Sequence, residues 1–287
     1  MKRWLFYGLY IAAAIVFFLY YLFPADAAKD LISAYLLKSY PAYRVSIEEI
    51  KPVFPPGIRL TAVGMAYQNQ KLGQLDQLSI QPQYLALFSG NKRFNFRGTA
   101  YQGEIDGKLE VAGRAAPFDV NLNADLRNIR LDDIRKLQEV MGRKLQGRLN
   151  GNVYYQNGSG KDDTLEIRLN LADCTVEIAY PLLNIGIDAL SFKSVDGVVV
   201  VDKQTLELKQ CRAVGPQADG DLSGTIRFRR PFAKSLLDFR GSIQLHHSLL
   251  AALGDILPGG LIQTRKNDGS LPIKLYGTIE NPKFSLR

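Results

Sequence analysis

The chain has 287 residues, 46% hydrophobic and 22% charged; this is the balance of a folded domain and excludes disordered, collagenous and low-complexity classes. A mean hydropathy of −0.08 excludes a polytopic membrane protein but leaves room for one span. Thirty-six Lys and Arg against 28 Asp and Glu give +8, which suits an anionic membrane surface as well as nucleic acid, while two Cys and two His leave little material for a metal site.

The first element is an uncharged stretch from Leu5 to Phe23, 19 residues. At 1.5 Å per residue it reaches about 28 Å, close to the hydrocarbon thickness of a bilayer. Its apolar body comprises Leu5, Phe6, Ile11, Ile15, Val16, Phe17, Phe18, Leu19 and Leu22. Lys2 and Arg3 precede it, and Trp4, Tyr20 and Tyr21 stand where interfacial aromatics belong. The positive-inside tendency keeps the N-terminus in the cytoplasm and sends the remainder across. Ala25-Asp26-Ala27 also fits the cleavage pattern of a signal peptide. The stretch is longer than the usual apolar region of such a peptide, about 7–15 residues, which favours a retained anchor.

The expected organisation is an anchor over 1–24, an amphipathic helical connector over 25–42 and a β-rich domain over 43–287. In the connector, Leu31, Ile32, Tyr35 and Leu36 share one helical face, and Pro41 ends it. From Tyr43 onward the dominant period is two. Phe118, Val120, Leu122 and Leu126 alternate with Asp and Asn; Leu165, Ile167 and Leu169 alternate with Glu166, Arg168 and Asn170. Leu206 and Leu208, Ile226 and Phe228, and Ile273 and Leu275 repeat the theme. Each reads as a strand with one dry and one wet face. Cys174 and Val176 continue on the opposite parity to Leu171, which implies a turn or bulge near Ala172-Asp173.

Hairpin turns are expected at Asp106-Gly107, Asn150-Gly151, Asn157-Gly158, Asp196-Gly197, Asp219-Gly220 and Asp268-Gly269. Short helices are expected over Pro82–Ser89, over Asp132–Leu145 with Asp132 as its cap, and over His247–Ile256. The fold class is therefore mainly β: a transmembrane helix followed by a long curved antiparallel sheet with a few short amphipathic helices. So few helices cannot cover a dozen one-sided strands. The apolar face covers itself as a sandwich, a barrel or an open trough, and serves either as a filled core or as a groove that takes lipid.

No nucleophile elbow, phosphate loop, zinc-helix or dinucleotide pattern occurs in the sequence. His246 and His247 are strand neighbours that point to opposite faces, His246 on the wet side. Asp132-Asp133 read as structural, solvated carboxylates. The basic clusters lack interleaved aromatics, so nucleic acid is not an expected partner. Neither enzymatic activity nor a cofactor is expected. Export would place Cys174 and Cys211 where a disulfide is allowed, with two small buried thiols as the alternative.

Several segments share a strand–glycine–strand grammar: Phe96-Arg97-Gly98-Thr99-Ala100, Leu149-Asn150-Gly151-Asn152-Val153, Leu222-Ser223-Gly224-Thr225-Ile226, Phe239-Arg240-Gly241-Ser242-Ile243 and Leu275-Tyr276-Gly277-Thr278-Ile279. Interior glycine marks a bulge or a kink in a curved sheet. With the N-terminal span, Phe54-Pro55-Pro56-Gly57-Ile58, Tyr84 to Gly90, Asp132 to Gly151 and the ending Leu271 to Phe284, the whole chain resembles the short, membrane-anchored form of the type II secretion system protein N family, and more widely the AsmA-like proteins. The resemblance implies a single-pass protein of the bacterial inner membrane with a periplasmic β trough. It implies other type II secretion proteins as partners, or lipid in the trough and a part in envelope lipid traffic.

Overall fold

A computed structural model describes residues 2–39, 41–67, 70–87, 91–113, 118–142, 144–158, 161–177, 189–247, 249 and 270–286. Backbone contacts divide the chain into Met1–Ala100 and Tyr101–Arg287.

The first unit opens with helix α1 (Lys2–Tyr21) and helix α2 (Ala25–Ser39). Strands β1 (Tyr43–Ser46) and β2 (Glu49–Val53) lie on one edge of β3 (Gly57–Tyr67), followed by β4 (Gln70–Pro82), a single helical turn α3 (Tyr84–Leu87) and β5 (Asn91–Ala100). Every pairing is antiparallel. Ile47, Ile50 and Leu60 form the buried centre, and Phe23, Ala28 and Ile32 bring the start of α2 down onto it. The expected apolar face of the connector is thus split. Ile32 packs inward, whereas Leu31 is 72% and Tyr35 61% exposed; the side chain of Leu36 lies outside the described residues. Among the described side chains of α2, Ala28 and Ile32 pack against the sheet.

The second unit is an antiparallel meander: β6 (Gly103–Ala112), β7 (Asp119–Arg130), β8 (Leu145–Gly158), β9 (Lys161–Glu177), β10 (Ala189–Asp202), β11 (Thr205–Val214), β12 (Ala218–Arg227), β13 (Leu236–Leu245), β14 (Leu271–Thr278) and β15 (Pro282–Leu286). Neighbours in sequence are neighbours in the sheet throughout, and β15 pairs with β14 alone among the described strands, so this sheet does not close on itself. The bulge near Ala172-Asp173 is present, with Asp173 at φ 51°. A second one sits at Asn128, φ 53°, where the register of β7 on β8 shifts and the dry side passes from Leu126 to Ile129.

The helix expected over Asp132–Leu145 is shorter. Leu131–Asp133 form a 3₁₀ turn and α4 spans Arg135–Met141. Asp132 is engaged by Arg130 and caps nothing, Gly142 ends the helix in the left-handed region at φ 63°, and Leu145 already belongs to β8. Ile134 and Leu137 rest on Leu131, Leu145 and Cys174, the buried centre of this unit. Gln138 holds the arrangement: its Nε2 donates to the carbonyl oxygens of Leu131 and Leu145 (3.1 and 2.8 Å), and its Oε1 accepts from the Leu145 amide. The helix expected over His247–Ile256 lies almost wholly outside the described residues.

Four of the six expected hairpin dipeptides are not turns. Asp106-Gly107, Asn150-Gly151, Asp196-Gly197 and Asp219-Gly220 lie within β6, β8, β10 and β12. The acid or amide takes the wet side and glycine takes the dry side, so the pair continues the alternation. Asn157-Gly158 ends β8, where Gly158 pairs with Lys161. Asp268-Gly269 lies outside the described residues.

Candidate functional site

Cross-strand register aligns the dry residues of the second unit into continuous rows. One runs Leu109, Leu122, Tyr155, Leu165, Val201, Leu206, Ile226 and Leu237. The next runs Ala124, Val153, Ile167, Val199, Leu208, Gly224, Phe239, Leu275 and Phe284. A third joins Leu126, Gly151, Leu169, Gly197, Cys211, Leu222, Gly241 and Ile273.

Within these rows full burial is the exception. Val120, Leu122, Leu126, Leu165, Ile167, Leu169, Leu206, Leu208, Ile226, Phe228, Ile273 and Leu275 are all half-buried, and Phe118 is exposed. Full burial is confined to a few positions such as Ala124, Ile129, Leu131, Leu145 and Phe239. The sequence missed Val199 and Val201, because the run Val198–Val201 has no alternation; only pairing with Ile167 and Leu165 assigns their side.

Glycines occupy the dry face where neighbouring strands approach most closely. An added Cβ at Gly241 would stand against the Asp221 carbonyl and within 3.0 Å of the Leu222 Cα. At Gly224 it would meet Phe239, with the ring Cδ1 at 2.8 Å. Ordinary cross-strand Cβ atoms stand about 4.5–5.5 Å apart. The sheet is therefore pressed together on its apolar side at these points, and only a residue without a side chain fits.

The wet face satisfies itself. Asn152 Nδ2 donates to Asn123 Oδ1 and Asp125 Oδ1, both at 2.8 Å, and Asn170 Nδ2 donates to Asp196 Oδ1 at 2.7 Å. A shallow hollow of about 420 Å³ is lined by Asn152, Arg168, Asn170, Asp196 and Gln210. Asn121 is the exception: its Oδ1 is buried without a partner.

The two cysteines are free thiols. Cys174 stands opposite Phe192 and Cys211 opposite Gly197, on either side of β10. Two strand spacings are already about 9.6 Å, beyond the roughly 7 Å limit for a bridge, so the allowed disulfide is not formed. Burial pushes both thiols up, and Asp196 adds to this at Cys211, which opposes nucleophilic use. His246 is half-buried rather than solvated; Nε2 lies 3.2 Å from Asp219 Oδ2 and Nδ1 3.2 Å from the Pro216 carbonyl. Asp219 also accepts from the Gly215 amide, so this pair ties the turn between β11 and β12. Asp132 and Asp133 both face Arg130, and the Arg130 hydrogen bond holds the Asp132 carboxyl below the usual carboxylate range. Among the described residues no three metal-ligating side chains gather.

In α1, Phe6, Ile11, Phe17 and Phe18 are more than half exposed, as is Leu22 just beyond its end. The side chains of Leu5, Ile15, Val16 and Leu19 lie outside the described residues. Among the described residues no helix is long and apolar enough to cross a membrane.

No protein-family model matches the chain, and no curated protein or solved structure matches it.

Proposed function

We propose that this chain is a non-enzymatic accessory of the type II secretion machinery, held at the bacterial inner membrane by α1 with its β units in the periplasm. The observation that carries its character as a binding protein is the half-buried apolar face running across the second unit. The secretion assignment is supported by the sequence segments that resemble the protein N family. The anchor is supported by the 19 uncharged residues from Leu5 to Phe23, which follow Lys2 and Arg3 in the sequence. Deleting the gene and measuring secreted enzymes tests the assignment: loss of secretion, restored by the intact gene, is expected, and unimpaired secretion refutes it. A reporter active only outside the cytoplasm, fused after Arg287, is expected to be active; an inactive reporter at normal expression refutes the topology.

The same face favours a second reading, an AsmA-like module that binds or transfers lipid along an apolar trough. Complete burial of one Leu or Val is worth about 1.5–3 kcal/mol. Rows left half-buried therefore hold back roughly half of that per side chain for an acyl chain to recover. Native mass spectrometry of gently extracted protein decides between the two: bound lipid supports transfer, and a bare protein removes this reading.

A further inference from the structure

Alternation along β12 continues past its end: Ile226 and Phe228 keep the dry parity, Arg227 and Arg229 the wet one. The chain then turns back into β13 through Arg230-Pro231 and a 3₁₀ turn at Phe232–Lys234. Phe228 is half-buried, and its ring lies 6.0 Å from that of Phe232, which is 61% exposed. The dry face, which reaches Ile226 and Leu237 here, is thus continued into solvent by two aromatic rings.

Four cations surround these rings: Arg227, Arg229, Arg230 and Lys234, all exposed. Among the described residues none of the four side chains has an ion-pair partner; Asp238 on β13 pairs with Arg240 at 3.7 Å instead. Two neighbouring turns pack beside the loop. The Phe228 amide donates to the Gln204 carbonyl at 2.7 Å, and the Glu280 amide to the Ala233 carbonyl at 3.0 Å. These turns add Asp202, Lys203 and Glu280, so this end of the unit carries five positive charges against two.

The loop is braced from within. Ser235 has 0% exposure, and its Oγ accepts from the Arg229 amide at 3.0 Å. The amides of Lys234 and Ser235 donate to the carbonyls of Pro231 and Phe232, both at 2.9 Å, and the Ser235 carbonyl accepts from the Ile279 amide at 3.1 Å. Phe232 is therefore held outward among unpaired cations, with little ordering left to complete on binding. An apolar ring among cations matches a surface that is anionic outside and apolar beneath, which is the layering of an anionic bilayer.

We propose that the loop between β12 and β13 docks the second unit onto an anionic bilayer: Phe232 enters the interface, and Arg227, Arg229, Arg230 and Lys234 bind lipid phosphates around it. All four cations lie within five residues of Phe232. A ring sunk roughly 5–10 Å below the headgroups therefore leaves them at phosphate level. Docking sets the dry face, through Phe228, against lipid. It does not depend on α1 being an anchor.

The test uses the full chain in vesicles of phosphatidylcholine with or without phosphatidylglycerol, with lipids brominated on their acyl chains as contact quenchers of tryptophan. Brominated lipid is placed either in the vesicles that hold the chain or in a second population added afterwards, since the loop meets whichever anionic surface lies within its reach. The Trp4→Phe/Phe232→Trp variant reports the loop, and because Phe232 is exposed the substitution leaves folding intact. Quenching at position 232 is expected in at least one arrangement, and only where that membrane contains phosphatidylglycerol. Adding Arg229→Gln or Arg230→Gln lowers the docked-to-undocked ratio roughly five-fold each. Lys193→Gln, the same charge change at an exposed position near the other end of β10, leaves it unchanged. Absence of quenching in both arrangements overturns the inference. Quenching that ignores lipid charge, or that Lys193→Gln lowers as much as the loop variants do, overturns the assignment of phosphates to these cations. Trp4 in the parent chain, its single tryptophan, reports α1 separately, so a failed anchor and a failed loop are told apart.

Discussion

Replacing Gly241 by Ala tests how closely the apolar side of the second sheet is pressed together. The added methyl would meet the Asp221 carbonyl and the Leu222 Cα inside any real contact distance. These are backbone atoms, so no rotamer change relieves the clash and β12 and β13 must separate locally by about 1 Å. A ladder hydrogen bond near 2.9 Å then stretches to roughly 3.9 Å, beyond bonding range. Two such bonds at about 1 kcal/mol each, plus the strain of overpacking, give a loss of roughly 2–4 kcal/mol. For a unit of this size that lowers the melting temperature by about 4–16 °C. Gly220→Ala is the control. It lies on the same face of β12, but its Cβ would stand 3.5 Å from the Ser242 carbonyl, an ordinary contact. Its loss of unfolded-state freedom makes it neutral or stabilising by about 0.4–1 kcal/mol. Thermal unfolding of the detergent-solubilised chain, followed by circular dichroism, reads both. Equal melting temperatures for the two variants would show that the strands are not in the close register described.

Leu122→Asp places a carboxylate between Leu109 and Tyr155 on the dry face and is expected to cost about 2 kcal/mol or more. Asn123→Asp, which faces Lys108 and still accepts from Asn152, is expected to stay within about 0.5 kcal/mol; similar urea midpoints would refute the assignment of faces. Asn121→Asp is not neutral, since its buried Oδ1 lacks a partner and Glu110 stands opposite, and a lower melting point is expected. Denatured without reductant, the chain should show two alkylatable thiols, both slow to react when folded because burial raises them; a single mass loss of two hydrogens would contradict the register. Asp132 is expected to titrate below the usual carboxylate value of about 3.9 and to return towards it in Arg130→Ala. Its contribution is present above the unfolded value and is lost as pH falls through the lower folded one. Carbon-detected NMR titration of that side chain checks both the shift and its cause.

Alternation alone carried most of the fold. Leu165, Ile167 and Leu169 against Glu166, Arg168 and Asn170 leave no helical solution, because only a strand separates them onto two faces. The irregularity at Ala172-Asp173 was equally legible, since a change of parity between Leu171 and Cys174 requires a turn or a bulge; the pairing of β9 with β8 decided for the bulge. Composition excluded a polytopic protein. Tertiary structure decided what a strand cannot know about its neighbours. Asp106-Gly107 and Asp196-Gly197 are read locally as turns, yet both lie inside strands and continue the alternation, opposite Asp125-Ala124 and Asn170-Leu169. The dry rows were individually visible, but their half-burial depends on what lies above them, which no strand encodes. Arg130 took Asp132 from its helix cap through a contact set by the 3₁₀ turn. The cysteines were separated by β10, and the turns holding Lys203 and Glu280 were brought beside the cations of the loop between β12 and β13. Period and parity are properties of one segment; proximity is a property of pairing, and pairing exists only in the assembled sheet.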